Sequence, residues 1–132
     1  MSDAPAKHIR TPLSRVRGLG AAHSGTDHFW RQRLTAVANI PLTIAAIVIF
    51  IMLLGRNQAW VAQIVGSPAV TVIMLLFVIS ITAHMRIGMQ VVIEDYVHDE
   101  LAKFVLIMAN TFFTIAIALT SIYGILKLSF GL

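Results

Sequence analysis

The sequence contains no cysteine. Disulfides, thiolate-held metals, iron–sulfur clusters carried by this chain and covalent c-type haem attachment are therefore excluded. Charge is also scarce. Lys, Arg, Asp and Glu make up 12% of the 132 residues, against about 25% in an ordinary soluble domain. That is too little polar surface to cover a soluble globule of this size, so a soluble enzyme is excluded. Disorder is excluded by the 58% hydrophobic content, because disordered chains are polar and poor in aliphatics. No Walker loop, zinc motif, nucleophile–base pairing, internal repeat or low-complexity tract is present. What remains is an integral membrane protein with a mean hydropathy of +0.83.

A formal net charge of +4 would suit a nucleic-acid partner. The placement of the charges argues for a lipid bilayer and against nucleic acid. Lys7, Arg10, Arg15, Arg17, Arg31 and Arg33 lie ahead of the first long apolar stretch. Residues 34–55, 57–85 and 104–126 carry no charged side chain. A helix needs roughly 20 apolar residues to cross the hydrocarbon core. The pattern predicts an all-α membrane protein with three transmembrane helices, about 34–55, 68–95 and 104–127. Residues 1–33 form a basic cytoplasmic arm, and 34–132 a three-helix transmembrane anchor domain. The first stretch is too long and too late for a signal-peptide h-region and ends without a small-residue cleavage site. A mature bacterial N-terminus is the expectation.

The Lys/Arg bias sets the orientation. The arm holds six basic residues, while the first loop, about 56–67, holds only Arg56. The N-terminus is expected in the cytoplasm, the first loop outside, the second loop inside and the C-terminus in the periplasm. Glu94, Asp95, Asp99 and Glu100 then lie on the cytoplasmic side. Trp30 and Trp60 flank the first span, where interfacial aromatics belong. Ser67-Pro68 reads as a helix start, with Ser as N-cap and Pro in the first turn. Pro41 is placed to bend the first span, and Gly18, Gly20 and Gly25 to make the arm irregular. So small a chain cannot enclose a solute pathway, which implies partner helices.

The chemistry concentrates in 81–98, ITAHMRIGMQVVIEDYVH. Ionisable groups inside a membrane helix are costly and are functional hypotheses by default. At about 100° per residue, Phe77, Ser80, His84, Gly88, Val91 and Asp95 share one stripe. Asp95 lies about 16 Å beyond His84 toward the cytoplasm. Gly88, one turn from His84, would let a flat, bulky group approach beside the imidazole. A histidine facing a glycine notch suggests an axial haem ligand. The alternative is a histidine hydrogen-bonding a neighbouring helix. His8, His23, His28 and His98 are not deep, so a second axial histidine would have to come from a partner subunit.

Arg86 is about 200° from His84 and either snorkels to the interface or meets a carboxylate. Asp95-Tyr96 are either ordinary interfacial residues or part of a quinone site, with the Tyr hydroxyl donating to a quinone carbonyl. Arg31 and Arg33 either serve topology alone or contact an anion such as a haem propionate. Thr35, Asn39, Thr43 and Asn110 are expected to hydrogen-bond between helices. The six methionines suit packing.

The spacing His84, Gly88, Asp95-Tyr96 resembles that of the D-type hydrophobic membrane anchors of bacterial succinate dehydrogenase, respiratory complex II. Gln32-Arg33-Leu34-Thr35-Ala36 at the head of the first span and the arm from Arg15 to Gly20 also look like that family. The resemblance covers nearly the whole chain. It implies a complex with a flavoprotein subunit carrying FAD, an iron–sulfur subunit and a C-type cytochrome b anchor subunit. It implies that His84 is one axial ligand of the haem b iron shared with that second anchor, with Gly88 packed beside the haem. Arg33 would lie near the propionates. Tyr96 would hydrogen-bond ubiquinone, and Asp95 would line the same site. By itself the chain would hold no complete active site. Two other readings remain: a haem-free anchor of a fumarate reductase, and a non-catalytic accessory or transport-related membrane protein.

Overall fold

The computed structural model describes residues 21–132. The described residues form four helices and no strand: α1 Ala21–Leu53, α2 Gln58–Val65, α3 Pro68–Tyr96 and α4 Glu100–Ser129. Contacts divide the chain between Arg31 and Gln32 into two units. In the first, the described residues are helical, and Phe29 and Trp30 meet edge to face with ring centroids 6.0 Å apart. The remaining features belong to the second.

Three helices are long and apolar enough to cross a membrane, with spans of Thr26–Leu53, Pro68–Tyr96 and Glu100–Ser129. This bears out the three-span architecture, though every boundary except the start of α3 at Pro68 moves. α1 begins well before residue 34 and runs through Gly25, so the expected irregularity at Gly25 is corrected. Gly18 and Gly20 lie outside the described residues. The reason is local: nothing in 21–33 breaks a helix, and a helix need not end where the membrane does. Pro41 is thus well inside α1, where it leaves the carbonyl of Val37 without its amide donor.

α2 occupies the first loop, which the charge pattern had left without structure. Asn57 caps it, its side-chain oxygen accepting from the Trp60 amide at 3.0 Å. The Arg56 guanidinium sits 5.8 Å from the centroid of the Trp60 ring. α3 starts at the expected Ser67-Pro68, although the Ser67 side chain makes no capping bond. α4 starts at Glu100 because Asp99 caps it, accepting from the Ala102 amide at 2.8 Å. Glu100 in the first turn and Lys127 in the last oppose the helix dipole.

The main packing core sits at the α4 C-terminal end. Val65, Val78 and Ile125 are buried there, with Leu53, Val61, Ile122 and neighbours packed against them, so all four helices contribute. Thr71 of α3 ties the same end together. Its hydroxyl is 2.6 Å from the Val65 carbonyl oxygen and 2.9 Å from Ser129 Oγ. Buried Thr82 and Thr114 donate to carbonyls of their own helices, which lets hydroxyls lie where α3 and α4 meet.

Most of the apolar surface is not covered. Only 6% of the most apolar window of α4 is buried. Ile44, Phe112, Phe113 and Leu119 are all exposed. In water such a surface would aggregate. It suits lipid tails and other apolar helices.

Candidate functional site

His84 lies within the α3 span, half-buried, near its middle. Its Nδ1 is 3.0 Å from the hydroxyl oxygen of Thr35 on α1. That same hydroxyl donates to the Gln32 carbonyl oxygen, one turn back on α1, at 3.0 Å. The imidazole is therefore joined to the neighbouring helix through one nitrogen. Its Nε2 has no hydrogen-bond partner among the described residues.

The helical phase explains why His84 meets α1. Thr82 and Ile93, both buried, lie about 160° and 180° from His84 around α3. They turn toward α4, so His84 turns away from it. Thr35 also meets the expectation of an interhelical hydrogen-bonder. Asn110 does as well, its Nδ2 donating to the Arg86 carbonyl oxygen at 3.0 Å. Asn39 does not: its Oδ1 is buried with no partner among the described residues. Thr43 makes no side-chain hydrogen bond among the described residues. Ser80 Oγ is likewise buried and unpartnered. Asn39 is one turn beyond Thr35, and Ser80 one turn before His84. These two orphaned polar atoms therefore share the stripes that carry the Thr35–His84 contact.

Gly88 is one turn from His84, and a Cβ built there meets nothing within 4 Å. Nothing among the described residues requires a glycine at that position. The space beside it is open to something outside the chain.

α3 stays helical through Asp95 and Tyr96. Asp95 falls about 20° from the His84 direction and Tyr96 about 120°, so the dipeptide splits between two faces. Tyr96 is 78% exposed, and neither side chain has a hydrogen-bond partner among the described residues. Tyr96 continues the stripe of Met89 and Met85, which line a groove of about 750 Å³ between α3 and α4 with Ile93, Leu106 and Phe113. Arg86 lines a second opening on the other side of that seam, about 230 Å³, with Ala83 and Ala118. The Arg86 side chain is exposed and has no hydrogen bond or ion pair among the described residues.

Arg33 is exposed on α1. It lies two positions from Thr35, about 200° around the helix. No group of three or more His, Asp or Glu side chains comes together among the described residues. His84 is thus a single ligand that a partner must complete if it holds a metal.

Against known proteins, the model of the family described as succinate dehydrogenase/fumarate reductase transmembrane subunit matches residues 7–118. The chain is 30% identical over 121 residues to the succinate dehydrogenase hydrophobic membrane anchor subunit of Paracoccus denitrificans, covering 92% of this chain and 93% of that one. It is 30% identical over 110 residues to the protein of the same description from Rickettsia bellii, covering 81% and 86%. No solved structure matches. A family match over most of the chain, two near full-length relatives and three apolar spans agree: the chain belongs to the transmembrane subunits of succinate dehydrogenase and fumarate reductase.

Proposed function

We propose that this chain is the hydrophobic anchor of a bacterial succinate:ubiquinone oxidoreductase, supplying one axial ligand to a haem b and part of the quinone-reduction site. The observation that carries the reading is His84. It lies in a membrane span, is braced through Nδ1 by Thr35, and its Nε2 lacks a partner among the described residues. A glycine with open space beside it lies one turn away. An imidazole held by one nitrogen with the other available is what an axial ligand requires.

When bound, a haem b would supply a one-electron redox centre between the two anchors. The residues of this chain divide the work. His84 would hold the haem iron through Nε2, and Gly88 would leave room beside it. Arg33, by its resemblance, pairs with a propionate. Tyr96 donates its hydroxyl hydrogen to a quinone carbonyl, and Asp95 lines the approach. A second histidine to hold the iron would come from a C-type cytochrome b anchor. The flavoprotein oxidises succinate, and the iron–sulfur subunit delivers electrons at the Tyr96 end of the helices. On this reading that end lies at the cytoplasmic face of the cytoplasmic membrane and the C-terminus in the periplasm, the orientation that the Lys/Arg bias of the arm favours.

The test is a dithionite-reduced minus oxidised spectrum of the complex purified through this chain, beside a His84→Ala version. A b-type band lost in the variant is the expected result. A band that survives the substitution assigns the haem to other histidines. No band in either protein makes this a haem-free anchor.

A further inference from the structure

The geometry points to Thr35 as the positioning residue that fixes the tautomer of His84, holding the ring hydrogen on Nδ1 and leaving Nε2 as the bare nitrogen. The inference rests on the reading of His84 as a haem ligand. It adds a residue on a different helix that decides how well that ligand works.

Proton counting carries it. The Thr35 hydroxyl has a single hydrogen and an oxygen that can accept. Two of its contacts decide between the tautomers, both at 3.0 Å: the Gln32 carbonyl oxygen, which can only accept, and His84 Nδ1, whose role depends on the tautomer. With the hydrogen on Nδ1, His84 donates to the Thr35 oxygen while Thr35 donates to the Gln32 carbonyl, and both bonds form. With the hydrogen on Nε2, Thr35 must turn its hydrogen to Nδ1. Only one of the two bonds then forms, and an N–H with no partner among the described residues is left in the span. An unmade bond is costly where water is absent, so the first arrangement is the stable one. It leaves the Nε2 lone pair available to iron.

The same bond has an electronic consequence. A ligating imidazole that donates its other N–H to an acceptor is a more basic ligand. It favours the ferric state and lowers the haem potential. Because Thr35 is on α1 and His84 on α3, the orientation of the ligand depends on how these two spans pack.

The experiment compares Thr35→Val, which keeps the shape and removes the hydroxyl, with Thr35→Ser, which keeps the hydroxyl. Each is measured in the intact complex, with His84→Ala alongside. The readouts are haem per flavin, the haem midpoint potential and the low-spin EPR signal. Thr35→Val is expected to weaken haem retention about 10- to 100-fold, the usual cost of losing such a partner. Its remaining haem should show a raised potential and shifted g values. Thr35→Ser should match the parent protein. Should Thr35→Val fail to assemble, Thr35→Ala removes the oxygen without adding bulk and is read in the same way. An unchanged potential and EPR signal in the hydroxyl-free variant overturn the inference, as does equal haem loss in the Val and Ser variants. Haem that survives His84→Ala overturns the ligand reading itself, a different outcome from either.

Discussion

The Asn110 side chain on α4 donates to the Arg86 backbone carbonyl on α3 at 3.0 Å. This is a side chain reaching across a seam to a carbonyl already inside another helix's ladder. In a membrane, helices are not driven together by the hydrophobic effect, so packing of small residues and such bonds hold the pair. The α3–α4 seam has both, with Thr82, Ala83, Thr114 and Ala118 around it. Asn110→Leu is therefore expected to weaken the pair by about 0.6 kcal/mol, the average for such bonds. The loss is small because the carbonyl keeps its own helical partner. Unfolding of the complex in mixed micelles would read it, with a loss above about 2 kcal/mol contradicting this account.

Thr71 should matter more. It is 8% exposed, and its hydroxyl lies within hydrogen-bond distance of three groups: the carbonyl oxygens of Val65 and Ser67 and the Ser129 hydroxyl. The short 2.6 Å bond places its hydrogen on the Val65 carbonyl, so Ser129 must be the donor in the 2.9 Å contact. Thr71→Val keeps the volume and leaves both groups unpaired. A cost of about 1–3 kcal/mol is expected, the usual range for a buried polar group left unsatisfied. Thr71→Ser should recover most of it. A Val variant as stable as the parent would mean that the groups find other partners.

The three spans were legible because hydropathy over roughly 20 residues is a strong signal that needs no tertiary information. Their ends were not. Arg31 and Arg33 end the uncharged stretch, but the helix carries on past them to Ala21. α2 escaped notice because eight residues are too few for a periodicity to establish itself, although Asn57 and Gly66 bracket it with recognisable caps. At the site, His84 and its stripe could be read from spacing within one helix. Thr35 could be marked as an interhelical hydrogen-bonder but not paired with His84. That pairing depends on the register of α1 against α3, which no local pattern encodes. The divergence of Asp95 and Tyr96 onto different faces follows from one residue's rotation. It was available from periodicity once the helix was known to continue through both.

Tyr96 offers a clean test of the quinone role because its hydroxyl has no partner among the described residues and its side chain is largely exposed. Tyr96→Phe removes one oxygen from a surface position and should leave assembly and stability unchanged. A hydrogen bond to a neutral acceptor is worth about 0.5–1.5 kcal/mol net, which corresponds to about 2- to 10-fold in quinone affinity. Succinate:quinone reductase activity at limiting quinone should fall by that factor. Succinate oxidation with an artificial acceptor that bypasses the anchor should not change. Equal activity in both assays would remove Tyr96 from the quinone site.

The absence of cysteine makes the orientation directly measurable. Gln58 and His98 are exposed, one at the start of α2 and the other between α3 and α4. Each can be replaced by the only cysteine in the chain, and a 14.5 kDa band is separable from the thiols of other subunits on a gel. The basic arm predicts that its own side faces the cytoplasm. With α1, α3 and α4 each crossing once, position 58 then faces the periplasm and position 98 the cytoplasm. A membrane-impermeant maleimide added to cells with a permeabilised outer membrane should label Gln58→Cys at once. It should label His98→Cys only after the inner membrane is opened. The reverse pattern would place the Tyr96 end in the periplasm, away from a cytoplasmic iron–sulfur subunit. The quinone assignment for Tyr96 would then fail together with the topology.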